Sequence, residues 1–125
     1  MELFENASAM SHDPNCIFCK IVAGEIPSRK VYEDDDILGF HDIAPWAPMH
    51  FLLIPKQHLA SLYETTPEQH QSMLGRMIAL APRLALQQGV VNGFRVLINT
   101  GVDGLQEVAH LHVHVIGGPR PWKKG

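Results

Sequence analysis

The sequence predicts an α+β domain in which one antiparallel sheet of about five strands is covered by one long helix and preceded by a short one. Two observations carry this. Apolar runs of strand length are separated by short, turn-rich connections, which favour antiparallel pairing of neighbours. A single long segment, from residue 67 to about 89, repeats its apolar residues every three or four positions.

Taken in order, residues 1–14 are polar and without period and read as a flexible extension, with one domain over 15–125. "IFCKIVAG" has helical rhythm, with Ile17, Phe18, Ile21 and Val22 expected on one side and Gly24 as the stop. "IPSRKVYEDDDILGFHDI" reads as two strands, Lys30 to Glu33 and Ile37 to Asp42, joined by an acidic turn. "MHFLLIPK" is apolar enough for a central strand and is fenced by Pro48 and Pro55. The long helix opens at Thr66, which can cap; Pro67 suits the first turn and Gln69 completes a capping box. Its core face is expected at Met73, Leu74, Met77, Ile78, Ala81, Leu84 and Ala85, with a kink at Pro82, where an interior proline removes a backbone hydrogen bond. "FRVLINT" and "HLHVHVI" are the last two strands, with the glycine-punctuated "GVDGLQEVA" between them.

At 125 residues, 46% apolar and 18% charged, the chain has the composition of one globular domain. A net charge of −3 with no long basic run argues against long nucleic acid as a partner. No apolar run approaches the roughly 20 residues that span a bilayer. "MELFENASAMSHDPN" lacks the basic and apolar regions of a secretory signal, so a cytoplasmic location is expected.

The chemistry concentrates in "HLHVHVIGG". Side chains alternate along a strand, so His110, His112 and His114 share one face about 6.6 Å apart, while Leu111, Val113 and Val115 anchor the other. Such a face could be merely solvated, could bind metal, or could carry out nucleophilic chemistry. A metal is awkward for three rings at this spacing, because all their nitrogens must converge to about 2 Å from one ion. A neutral imidazole can instead attack an electrophile and be assisted by a neighbour. His112, with a ring on either side, is the best placed nucleophile. Phosphorus is the plausible electrophile, since Gly101 and Gly104 can turn backbone N–H groups toward phosphate oxygens. Cys16 and Cys19, the two cysteines, can be read as a redox pair, as half of a zinc site needing two more ligands, or as buried thiols.

"HLHVHVI" resembles the signature of the histidine triad family, His-φ-His-φ-His-φ-φ with φ apolar. The stretch from Cys16 to His58, and "GG" then Trp122 near the end, resemble its nucleotide-binding branch. The resemblance implies the histidine triad fold and a hydrolase of purine nucleoside 5′-phosphoramidates that acts through a nucleotidyl-histidine. On that likeness His112 attacks the α-phosphorus and His114 contacts the phosphate and bridging atom. His110 orients His112 through its carbonyl, and His50 buttresses the triad. Asp42 would bind the ribose hydroxyls, while Phe18, Ile21, Phe40 and Ile43 line the base pocket. Asn99 and Glu107 lie on the phosphate side. No cofactor is implied for catalysis, but some members hold structural zinc through ligands that map to Cys16, Cys19, His50 and His110. The branch forms homodimers, with Trp122 reaching toward the partner's site. His41 and His58 are read as structural. Two departures stand out: Glu107 replaces a hydroxyl residue, and Leu105 stands where glycine is common. Alternatives are a dinucleoside polyphosphate hydrolase, a zinc-dependent hydrolase and a nucleotide-binding module with little turnover.

Overall fold

Seven consecutive buried residues, Met49–Pro55, form the strand β3 on which the molecule is layered. The computed structural model describes residues 11–125. Along these run α1 (Ile17–Val22), β1 (Lys30–Glu33), β2 (Ile37–His41), β3, a 3₁₀ turn (Leu62–Glu64), α2 (Pro67–Gln87), β4 (Phe94–Leu97) and β5 (Val113–Gly117). The five strands form one antiparallel sheet in the order β1-β2-β3-β5-β4, so β3 is central as its composition predicts. This is the α+β arrangement expected, one antiparallel sheet of five strands with a long helix and a short one. Among the described residues no helix is long and apolar enough to cross a membrane.

Strand alternation sorts the core into two layers. Phe51, Leu53, Val113 and Val115 pack with Met77, Leu80, Ala81, Leu84 and Ala85 of α2. Leu38, Phe40, Leu52 and Ile54 face the other way, onto Cys16, Phe18 and Cys19. Directly paired residues share a face, and Leu52 pairs with His114, so the histidines lie on the α1 side.

Several local expectations are refined. In α1 the buried residues are Phe18 and Cys19, whereas Ile17 is half exposed. Thr66 caps α2 by accepting from the Gln69 N–H at 3.1 Å, but its own N–H goes to His70 Nδ1 at 2.9 Å rather than to the Gln69 side chain. This bond accounts for His70 being buried. Leu80 faces the core in place of Ile78, which is 44% exposed. α2 ends just before Gly89, whose φ of +83° lets the chain turn out of the helix.

The last strand begins at Val113, not at His110. The segment before it is held by Leu111 N–H donating to the Leu59 carbonyl at 2.7 Å. Of the expected extension, residues 1–10 lie outside the described residues. Ser11 exchanges bonds with the His58 backbone at 3.0 and 2.9 Å, and Asp13 N–H donates to Cys19 Sγ at 3.4 Å, so the chain is held from residue 11.

Candidate active site

His110, His112 and His114 are all buried, and each is held differently. His112 Nδ1 lies 2.7 Å from the His110 carbonyl oxygen, which can only accept. Nδ1 therefore carries a proton, and Nε2 is the nitrogen left free of that bond. Phe18 of α1 packs edge-on against this ring at 5.3 Å and 89°, which fixes its plane.

His114 is the end of a chain of bonds that fixes its tautomer. The Trp46 N–H donates to His50 Nδ1 at 3.0 Å, leaving the His50 proton on Nε2. That proton is donated to His114 Nδ1 at 2.9 Å, so the neutral His114 ring keeps its own proton on Nε2. Burial, reinforced by the neighbouring His112 and His50 rings, pushes His114 down to about 4. Burial also lowers His50, against the pull of Asp42. Asp42 Oδ2 sits 3.5 Å from His50 Nε2, and its Oδ1 accepts from the Ala44 N–H at 2.8 Å. His112 and His114 lie edge to face at 5.0 Å, so a lone pair and a ring N–H occupy one small region. That pairs a nucleophile with a hydrogen-bond donor for the group it displaces.

His110 faces elsewhere. Its Nε2 donates to the Pro55 carbonyl at 2.8 Å, so its Nδ1 lone pair points at Cys16 Sγ (3.3 Å), Cys19 Sγ (3.6 Å) and His58 Nδ1 (3.3 Å). Cys19 Sγ is in turn 3.3 Å from His58 Nδ1. Burial pushes His110 down to about 4 and the Cys19 thiol up to about 11. Zinc–sulfur and zinc–nitrogen bonds of about 2.3 and 2.05 Å in a tetrahedron imply S···N and N···N edges of about 3.6 and 3.3 Å. The four donor atoms of Cys16, Cys19, His58 and His110 match that set, and their thiol–imidazole chemistry fits zinc.

The expected ligand His50 is thereby corrected to His58. The antiparallel pairing of β3 with β5 sets His50 opposite Ile116, at the far end from His110. His58 follows the other end of β3, beside Pro55, and meets His110 there. Nothing local in the sequence marks His58 as a ligand.

The remaining candidates divide. Phe18 and Phe40 meet edge to face at 5.4 Å and, with Ile21 against them, form an apolar surface beside the histidines. Ile43 is fully exposed and takes no part in the core. Asn99 Nδ2 donates to the Gly104 carbonyl at 2.7 Å and closes the loop after β4. The Gly101 N–H, expected to face phosphate, is occupied by Gln106 Oε1 at 3.0 Å. Gly104 serves packing, since a Cβ there would lie 2.3 Å from the Thr100 carbonyl oxygen. Glu107 is exposed, and Leu105 takes the left-handed φ of +63° that glycine adopts freely. Trp122 donates from Nε1 to its own Gly118 carbonyl at 2.9 Å and carries the Arg120 guanidinium on its ring.

One functional residue escaped the sequence reading. The Trp46 ring stacks on His114 at 5.1 Å and 21° while its backbone N–H donates to His50 Nδ1. The available signal was an aromatic residue in a proline-rich loop four positions before His50.

A family model described as HIT domain matches residues 23–120. The chain is similar to the 14 kDa zinc-binding protein of Brassica juncea, 50% identical over 104 residues, covering 82% of this chain and 91% of that protein. It is similar to Adenylylsulfatase HINT1 of Arabidopsis thaliana, 47% identical over 113 residues, 89% of this chain and 76% of that protein. Among solved structures, the HIT family hydrolase from Legionella pneumophila Philadelphia 1 superposes with a TM-score of 0.80 at 42% identity, covering 85% of this chain and 95% of that one.

Proposed function

The chain belongs to the HIT domain family and is a nucleotide hydrolase, and from that premise we propose that it cleaves purine nucleoside 5′-phosphoramidates through a nucleotidyl group on His112. The observation that carries the reading is the 2.7 Å bond from His112 Nδ1 to the His110 carbonyl, which occupies Nδ1 and leaves Nε2 as the nitrogen free to attack. His112 Nε2 forms a bond to the α-phosphorus as the P–N bond to the amine breaks. The electron pair leaves with nitrogen, which takes a proton from a water held by the His114 Nε2–H. The hydroxide so formed attacks the same phosphorus, the P–Nε2 bond breaks, and the nucleoside monophosphate leaves.

Phe18, Ile21 and Phe40 would offer the base an apolar surface, with exposed Ile43 available to cover it, and Asp42, beside His50, would accept from the ribose diol. Asn99 shapes the loop on the phosphate side. Glu107 turns its carboxylate to solvent, which spares the phosphate a like charge. Cys16, Cys19, His58 and His110 would hold a structural zinc that fixes the backbone leading into β5. Zinc held by those four donors would be structural, because His112 and His114 are not among them. Cys16 and Cys19 are free thiols, the state that a zinc centre and a reducing cytoplasm both favour. A homodimer through β4 and α2 is supported by the edge position of β4 and by exposed Ile78, Leu86, Val91 and Val96, with Trp122 near the chain end available to a partner's site.

The test is turnover of an adenosine 5′-phosphoramidate. The protein should release adenosine monophosphate and His112→Ala should not. Full activity in His112→Ala would overturn the mechanism, and binding without release above the buffer rate would make the protein a binding module.

A further inference from the structure

We propose that His12 is an exchange ligand for the zinc centre, a donor outside the four-residue set that takes the incoming or outgoing ion at the mouth of the cluster. The inference rests on the zinc reading above and is independent of the hydrolase reading.

The four donors are enclosed. Cys19 and His110 are fully buried and Cys16 is 8% exposed, which leaves half-buried His58 as the ligand residue nearest solvent. The cluster therefore opens beside His58. A divalent ion cannot pass into such a site bare, because losing its whole water shell at once is far too costly. It must trade waters for donor atoms one at a time. Donors that face inward from a buried cluster are poorly placed to begin that trade, whereas a donor standing outside it can.

The chain entering α1 places one there. The Ser11 hydroxyl donates to the His58 carbonyl at 3.0 Å, and the His58 N–H donates to the Ser11 carbonyl at 2.9 Å. Two residues on, the Asp13 N–H donates to Cys19 Sγ at 3.4 Å, and the Asp13 carbonyl accepts from the Cys16 N–H at 3.0 Å. His12 is thus held between contacts to three of the four ligand residues, and it is itself exposed. Its ring is near enough that its charge, after burial and the charges of His58 and His112, counts among the causes lowering His110. The neighbouring side chains are committed locally, Ser11 Oγ to the His58 carbonyl and Asp13 Oδ1 to the Asn15 N–H at 2.8 Å. His12 offers an imidazole, a donor type that zinc already meets in the cluster. The same contact serves entry and exit, so His12 sets the rate of exchange and leaves the affinity alone.

The test uses zinc-loaded protein, as parent and as His12→Gln. Two rates are followed: replacement of bound zinc by isotopically enriched zinc, and removal of zinc by a chelator. Both should fall about tenfold in His12→Gln, the factor that about 1.4 kcal/mol at the transition state supplies. Zinc per chain and the dissociation constant should stay as in the parent. Added imidazole should restore both rates in His12→Gln, which a merely structural loss would not allow. Equal rates in the two proteins, or slow rates that imidazole does not restore, would overturn the exchange role alone. So would a lowered zinc content or affinity in His12→Gln, since His12 would then be a permanent part of the site. A parent protein that holds no zinc when supplied with it would overturn the zinc reading and the exchange role together.

Discussion

Replacing His58 by alanine should release the metal that the Cys16, Cys19, His58 and His110 cluster is shaped to hold. A four-ligand structural zinc site contributes about 10–16 kcal/mol of apparent binding free energy, or about 3 kcal/mol per donor. Removing one donor should weaken zinc about a hundredfold to a thousandfold. The backbone is spared, because Ser11 binds the carbonyl and N–H of His58, not its ring. Linkage converts a hundredfold loss of affinity into about 2.7 kcal/mol when zinc saturates the parent protein. The melting temperature should therefore fall on the order of 10 °C in zinc, with a much smaller difference in chelator. The assay is zinc per protein chain by elemental analysis together with a competition titration against a chelator. His50→Ala is the control, since His50 bonds to His114 and Trp46 and should keep its zinc. Zinc retained in His58→Ala but lost in His50→Ala would refute the assignment.

Three further predictions follow from separate parts of the structure. His114→Ala should slow release of an amine by about 10²-fold or more and of sulfate far less, because only the amine requires a proton on departure; equal losses in parallel rate measurements would contradict this. Leu105→Gly should raise stability by about 0.5–1 kcal/mol, since a left-handed L-residue costs about 1–2 kcal/mol and glycine gives back part of that as chain entropy, while Leu105 is 76% exposed and loses little packing; a lower melting temperature would refute it. Burial raises the Asp34 carboxyl, but bonds from Tyr32, the Asp36 and Ile37 N–H groups and Arg76 outweigh it and hold the value down at about 2. Its folded value lies below the unfolded one, so its stabilisation is present above about pH 4 and is lost as pH falls toward 2. Asp34→Asn should flatten that acid limb in denaturant titrations, and an unchanged limb would rule the contribution out.

Much of this was legible in the chain because periodicity reports which side of an element is buried. The apolar Met49–Pro55 run announced the central strand, and alternation in "HLHVHVI" put three imidazoles on one face. What could not be read was how far each strand slides along its neighbour. β3 and β5 pair His50 with Ile116 and Leu52 with His114, a register which, continued, sets His110 opposite Lys56. Only with that register does His58, rather than His50, fall beside His110. Bonds from backbone N–H groups to histidine side chains were equally invisible. His70 takes the Thr66 N–H and Trp46 takes His50, and neither contact leaves a periodic trace. The register of α2 shows the same limit: Ile78 and Leu80 are both apolar, and packing against the sheet chose Leu80.

The central claim is that His112 carries the nucleotide between the two halves of the reaction. The most direct measurement is a rapid acid or denaturant quench during turnover of an adenosine 5′-phosphoramidate, followed by peptide mass analysis. The account predicts an adenylyl group on the peptide containing residues 110–118, located on His112 and absent from His112→Ala. An adduct on His114, or turnover by His112→Ala at the parent rate, would contradict it.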